Sequence, residues 1–248
     1  MKIRQRNLLF LLMLVLTTAG LAKAGSYTTV TLPTADLNAD LTTYTDGTAY
    51  TGLFPSTQTW NGVPFALAEV PSSGFNIIQG DLTSPNTFTI PVGVYGVSSV
   101  YTLINSAFGS FNNDDGYVEF EDSSSDTFTV QLIEGSDIRD HYNGFFVNTL
   151  SNSTAGVTTS TISYFNQNPG FAHLDEQDFT LPSAFQSATL TDIIFETNGD
   201  DGAGVPFLAA ATVEAGPSTS PVPEPSSLLL LGSGLAGLAG MLRRRLKA

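Results

Sequence analysis

The stretch Asp126-Thr-Phe-Thr-Val-Gln-Leu132 alternates polar and apolar residues and puts Phe128, Val130 and Leu132 on one face. A period of two predicts a half-buried strand. Tyr117–Glu121 alternates in the same way, with Val118 and Phe120 opposite Glu119 and Glu121. Further strands are predicted over Tyr27–Leu32, Thr43–Tyr50, Phe75–Ile78, Thr87–Val92, Ser98–Asn105, Val157–Phe165, Thr189–Glu196 and Phe207–Val213. Turn signals separate them: Asp46-Gly47, Asn61-Gly62, Asn112–Gly116, Asn143-Gly144 and Asn198–Gly202. Ala172–Gln177 reads as one helical turn. About ten short strands with polar turns predict an all-β fold, a single-domain β-sandwich or jelly roll. No fixed-period repeat points to a solenoid.

Both ends break this pattern. Lys2, Arg4 and Arg6 precede the apolar run Leu8–Leu16, and Ala22-Lys23-Ala24 supplies a small-residue cleavage site before Gly25. Residues 1–24 are therefore expected to be a secretory signal peptide, read by the Sec translocon and signal peptidase. At the other end, Val222-Pro223-Glu224-Pro225 precedes Leu228–Leu242, which carries no charge, and the basic stop Arg243, Arg244, Arg245 and Lys247. Pro223 and Pro225 fix their own φ and hold the residues before them extended. The apolar run is expected to be a short transmembrane helix of roughly 23 Å, against a hydrocarbon core of about 30 Å. Its basic end stays cytoplasmic. Residues 216–221 read as a linker, which leaves 25–215 as the folded domain.

Removing the two ends changes the charge picture. The chain has 9 Lys and Arg against 23 Asp and Glu, net −14. From Gly25 to Pro225, Arg139 alone faces all 23 acids, which gives −22. Such a domain repels nucleic acid and anionic membrane surfaces and attracts divalent cations. With no cysteine, disulfide, thiolate–metal and cysteine-nucleophile chemistry are excluded, and the core must hold the fold alone.

The order of tripeptide, apolar run and arginine cluster at residues 222–248 resembles the PEP-CTERM sorting signal of Gram-negative bacteria. The resemblance implies recognition by a membrane cysteine transpeptidase of the exosortase class, which cuts near the triplet. It also implies transient anchoring in the inner membrane, then release or attachment at the cell surface or in an extracellular polysaccharide matrix. Asn61–Phe65, Tyr101–Ser106, Ile138–Asp140, His173–Gln177 and Phe207–Val213 are similar in shape to segments of galactose-binding-like jelly rolls, without supplying a ligand residue.

The candidate chemistry is sparse. Gly232-Ser-Gly-Leu-Ala-Gly237 spells a dinucleotide fingerprint but lies inside an apolar run, without the strand and βαβ unit such a site needs. His141 and His173 are the only histidines, and there is no G-x-S-x-G. Arg139 reads as the ion-pair partner of Asp137, Asp140 or another acid. Two loops have the composition of calcium ligands, with Asp114 and Asp115 in one and Asp200 and Asp201 in the other. Neither has EF-hand spacing, and both also read as solvated turns. Trp60, the one tryptophan, reads either as a core-edge residue or as a platform for a sugar ring. The leading expectation is an exported structural or interaction protein, not an enzyme. A carbohydrate-binding or adhesive module is the alternative and a secreted hydrolase the third reading.

Overall fold

A computed structural model describes residues 25–43, 50, 53–68, 74–142, 146–166, 171–199 and 204–216. The chain separates into two units, Met1–Pro217 and Ser218–Ala248. All described residues belong to the first. Ala22, Ala24 and the whole of Val222–Ala248 lie outside them, as do Asp200 and Asp201. Among the described residues no helix is long and apolar enough to cross a membrane.

The described residues form twelve strands: β1 (Ser26–Val30), β2 (Ser56–Trp60), β3 (Val63–Leu67), β4 (Ile78–Gln79), β5 (Asn86–Tyr95), β6 (Val97–Asn105), β7 (Asp114–Asp122), β8 (Thr127–Ile133), β9 (Val157–Asn166), β10 (Phe171–Thr180), β11 (Thr189–Thr197) and β12 (Phe207–Ala215). One sheet runs β1-β12-β6-β10-β9, with β4 also paired to β12. The second runs β5-β11-β7-β8, and β2 pairs with β3 alone. Every pairing between these strands is antiparallel.

The two large sheets close on one apolar core. The first sheet contributes Val100, Ile104, Phe179, Leu208 and Val213; the second contributes Ile90, Val118, Phe120, Val130, Leu132, Ile193 and Phe195. Phe120 meets Phe179 across the gap, ring centroids 5.1 Å apart. The faces read from the alternation of β7 and β8 hold, with Phe128 half-buried at the margin of the core and Val130 and Leu132 inside it.

The first sheet is covered on its other face too. Leu41, Tyr50, Phe54, Phe65 and Leu67 build a second core there with Leu103, Leu174, Phe207 and Ala210. This explains why β12, Phe-Leu-Ala-Ala-Ala-Thr-Val-Glu-Ala, is apolar without alternating: it is buried on both faces. The β2–β3 hairpin over this core turns through Asn61 (φ 51°) and Gly62 (φ 87°). Positive φ at both loop positions is the type I′ geometry that favours Asn-Gly.

Three expectations are corrected. Ala172–Gln177 is not a helical turn but part of β10. Its helix-favouring residues are overridden by burial in the middle of the first sheet, with a bulge between Leu174 and Asp175. Thr43 closes a 3-10 turn, Leu41–Thr43, instead of opening a strand, and residues 44–49 of that expected strand lie outside the described residues. Asn112–Gly116 is not wholly a turn, because β7 begins at Asp114 and carries a bulge before Gly116.

Candidate functional site

The polar residues worth attention gather inside one end of the sandwich. The bulge at the start of β7 turns the Asp115 side chain inward, and the residue is fully buried. Gly116 makes the bulge work. Its φ is 139°, and a Cβ there would lie 2.0 Å from the Glu196 carbonyl oxygen. Facing Asp115 is Glu134, also fully buried, directly after β8. Its backbone is held on both sides: its N–H donates to the Asn113 carbonyl at 2.9 Å, and its carbonyl accepts the Asn112 N–H at 2.9 Å.

Two further segments close on the pair. Ser106, just past β6, donates its hydroxyl to Glu134 Oε2 at 2.7 Å. The Gly204 N–H, just before β12, donates to Asp115 Oδ1 at 2.7 Å. These bonds satisfy one oxygen of each carboxyl. Asp115 Oδ2 and Glu134 Oε1 accept no hydrogen bond from a fixed donor. Burial pushes both carboxyls above the ordinary carboxylate range, and contact with Asp115 pushes Glu134 further. Two carboxylates in contact away from water repel strongly, so a proton or a cation has to neutralise one of them.

Asn198, the first residue of the second loop singled out for calcium, bonds to the start of β7, while Asp200 and Asp201 lie outside the described residues. The Asn198 backbone N–H donates to the Asp115 carbonyl at 3.1 Å, and its side-chain amide donates to the Asp114 carbonyl at 2.8 Å. Asp114 itself is exposed. Among the described residues no three His, Asp or Glu side chains gather as a metal-ligand group. Glu134 was missed in the sequence, although a signal was there. It continues the parity of Phe128, Val130 and Leu132, which places a carboxyl on an apolar face.

Beside the pair lies a buried ion-pair network. Arg139 pairs with Asp175 through two parallel bonds, Nε to Oδ2 at 2.7 Å and Nη2 to Oδ1 at 2.9 Å. The partner is thus neither Asp137 nor Asp140. Asn105 donates to Asp175 Oδ2 at 2.8 Å and accepts the Asp175 N–H at 2.9 Å. His173 Nε2 stands 3.7 Å from the same Oδ2. Burial depresses that imidazole to about 4, which outweighs the attraction of Asp175, so the contact is not an ion pair at neutral pH. The Tyr50 hydroxyl lies 3.0 Å from His141 Nδ1 and donates to the His173 carbonyl at 3.0 Å. Both histidines are buried in this network.

Trp60, at the end of β2, is half-buried, its ring 6.0 Å from that of Phe65. Other aromatics are exposed, among them Tyr95 and three phenylalanines close to Glu134. Phe108, Phe111 and Phe146 are 49%, 58% and 43% exposed. Phe108 and Phe146 pack edge to face at 5.3 Å, and Phe111 and Val147 both crowd Gly135. The patch adjoins Glu134, whose carboxyl sits where a Cβ on Gly109 would be. Phe108 holds φ at 72°, a conformation that bulky residues rarely adopt.

Compared with known families, residues 221–245 match the PEP-CTERM protein-sorting motif. The match covers the tail and leaves the sandwich outside it. No curated protein and no solved structure matches the chain.

Proposed function

We propose that this chain is exported, held briefly in the membrane by its C-terminal tail, and delivered by an exosortase-type transpeptidase to the cell surface or extracellular matrix. There its β-sandwich serves as a structural or interaction domain and not as an enzyme. The observation that carries the reading is the PEP-CTERM protein-sorting motif at residues 221–245. The folded domain is consistent with service outside the cell: it is nearly all β, strongly acidic and free of cysteine. The test is localisation in the native host. Glu224→Ala or Pro225→Ala should leave an uncut, membrane-retained form, because the extended recognition shape or its one charge is lost. Normal release of both variants would contradict the sorting reading.

A carbohydrate-binding or adhesive role is the second reading, and the exposed Phe108–Phe111–Phe146 patch favours it. Aromatic rings in water are costly unless they meet a partner, and apolar patches of this kind mark interaction sites. The neighbouring Asn112 is exposed and offers an amide for hydroxyl groups. If this reading holds, a neutral-glycan array should show binding that Phe111→Ala abolishes without changing the melting temperature.

A further inference from the structure

We propose that Asp115 and Glu134 hold one divalent cation of the calcium type between Asp115 Oδ2 and Glu134 Oε1, tying the two sheets together at this end of the sandwich. Four observations converge on it. Both residues are fully buried, their carboxyls meet, and one oxygen of each is reached by no fixed donor. Their partner oxygens are fixed by Ser106 Oγ and the Gly204 N–H, so both carboxyl groups are anchored. Two glycines admit the backbone to this spot: a Cβ on Gly109 would lie 2.2 Å from Glu134 Cδ, and one on Gly204 2.5 Å from Asp115 Oδ2. Finally, the chain from Gly25 to Gly216 contains no lysine and a single arginine, Arg139, which is engaged with Asp175.

The last point decides which kinds of neutraliser are available. In most proteins a buried carboxyl pair would recruit Lys or Arg. Here no side-chain cation is at hand, so the positive charge comes from solution, as a metal ion or as a proton. The donor set is all oxygen, two carboxyls and a serine hydroxyl, the ligand type from which calcium builds its shell of about six to eight. Sulfur donors are absent, and the nearest imidazoles belong to the Tyr50–Asp175 network, which disfavours zinc. Asp140 and Asp114 add negative field at Glu134 and Asp115 respectively. A cation here bridges the start of β7 and the end of β8, in one sheet, to segments that continue β6 and precede β12, in the other.

The test is calcium binding to the purified chain after EDTA stripping. Calcium at a hundredfold excess over its Kd should raise the melting temperature by roughly 5–11 °C beyond sodium chloride at matched ionic strength. One terbium ion per chain should bind and be displaced by calcium. In E134Q the calcium increment should vanish. D115N should behave alike, and should E134Q fail to fold, D115N and the terbium stoichiometry of the native chain decide. Equal melting temperatures in calcium and EDTA with no terbium bound would overturn the proposal and leave a shared proton as the neutraliser. A calcium increment that survives in both variants would also overturn it, since the ion would then lie elsewhere.

Discussion

Arg139 and Asp175 show how a single residue pair constrains the interior. Arg139 is the only cation in the folded domain, and its side chain is almost wholly withdrawn from water. Removing one partner strands a buried charge, which costs about 3–5 kcal/mol, a large part of an ordinary total of about 5–15. Asp175→Asn should therefore lower the urea midpoint sharply, and Arg139→Lys should do so as well, because a lysine cannot make the two-pronged contact. The double variant Arg139→Met with Asp175→Leu should recover much of the loss; no recovery would mean the network does more than satisfy charge.

Two titrating residues pull stability in opposite directions. His173 is neutral when folded, held near 4, so its contribution is present above its ordinary value of 6.5 and is lost as pH falls through 4. Burial raises Asp137 to about 6 from 3.8, so its contribution is present below 3.8 and is lost as pH rises through 6. Between pH 6.5 and 4 the two offset each other. Asp137→Asn should make the fall in melting temperature over that range steeper than in the native chain, as read by scanning fluorimetry across a pH series. A shallower fall would reverse the assignment.

At the scale of elements, alternation and turn residues made much of the sandwich legible. β5, β6, β7, β8, β9 and β11 fall close to their expected places because one apolar face per strand writes a period of two, and β12 does so through its continuous apolar run. β10 was illegible because Ala, Leu, Glu and Gln favour helix locally, and what overrides them is a sheet environment formed by distant strands. The β2–β3 pair was legible only at its Asn61-Gly62 turn. The carboxyl pair was half legible: Asp115 by composition, Glu134 only because it continues the parity of β8. Packing separates the aromatic residues in cost. Phe120 is fully buried, with Phe128 stacked on it at 6.2 Å and Phe179 edge-on at 5.1 Å. Phe120→Ala should cost about 3–5 kcal/mol. Phe128→Ala, at the margin of the core, should cost clearly less by urea denaturation; equal costs would mean the core extends further than the burial pattern shows.

For the whole molecule, charge and address are partitioned along the chain. Eight of its nine basic residues lie in the two terminal segments, and all 23 acids lie between Asp36 and Glu224. On the proposed reading the terminal segments are the parts that meet membranes, where basic residues set orientation. Once both are removed, what remains is a cysteine-free, highly anionic sandwich whose self-repulsion falls as salt rises. The same composition leaves its interior carboxyls with one arginine among them, which is why Asp175 has a side-chain counter-ion and the Asp115–Glu134 pair needs one from solution. The central claim, that the chain is exported and sorted through its tail, is tested most directly by the intact mass of the protein recovered from its native host. The account predicts a mature form that begins at Gly25 and lacks Arg243–Ala248. A mass that includes the full C-terminus, on protein recovered from the outer surface, would contradict it.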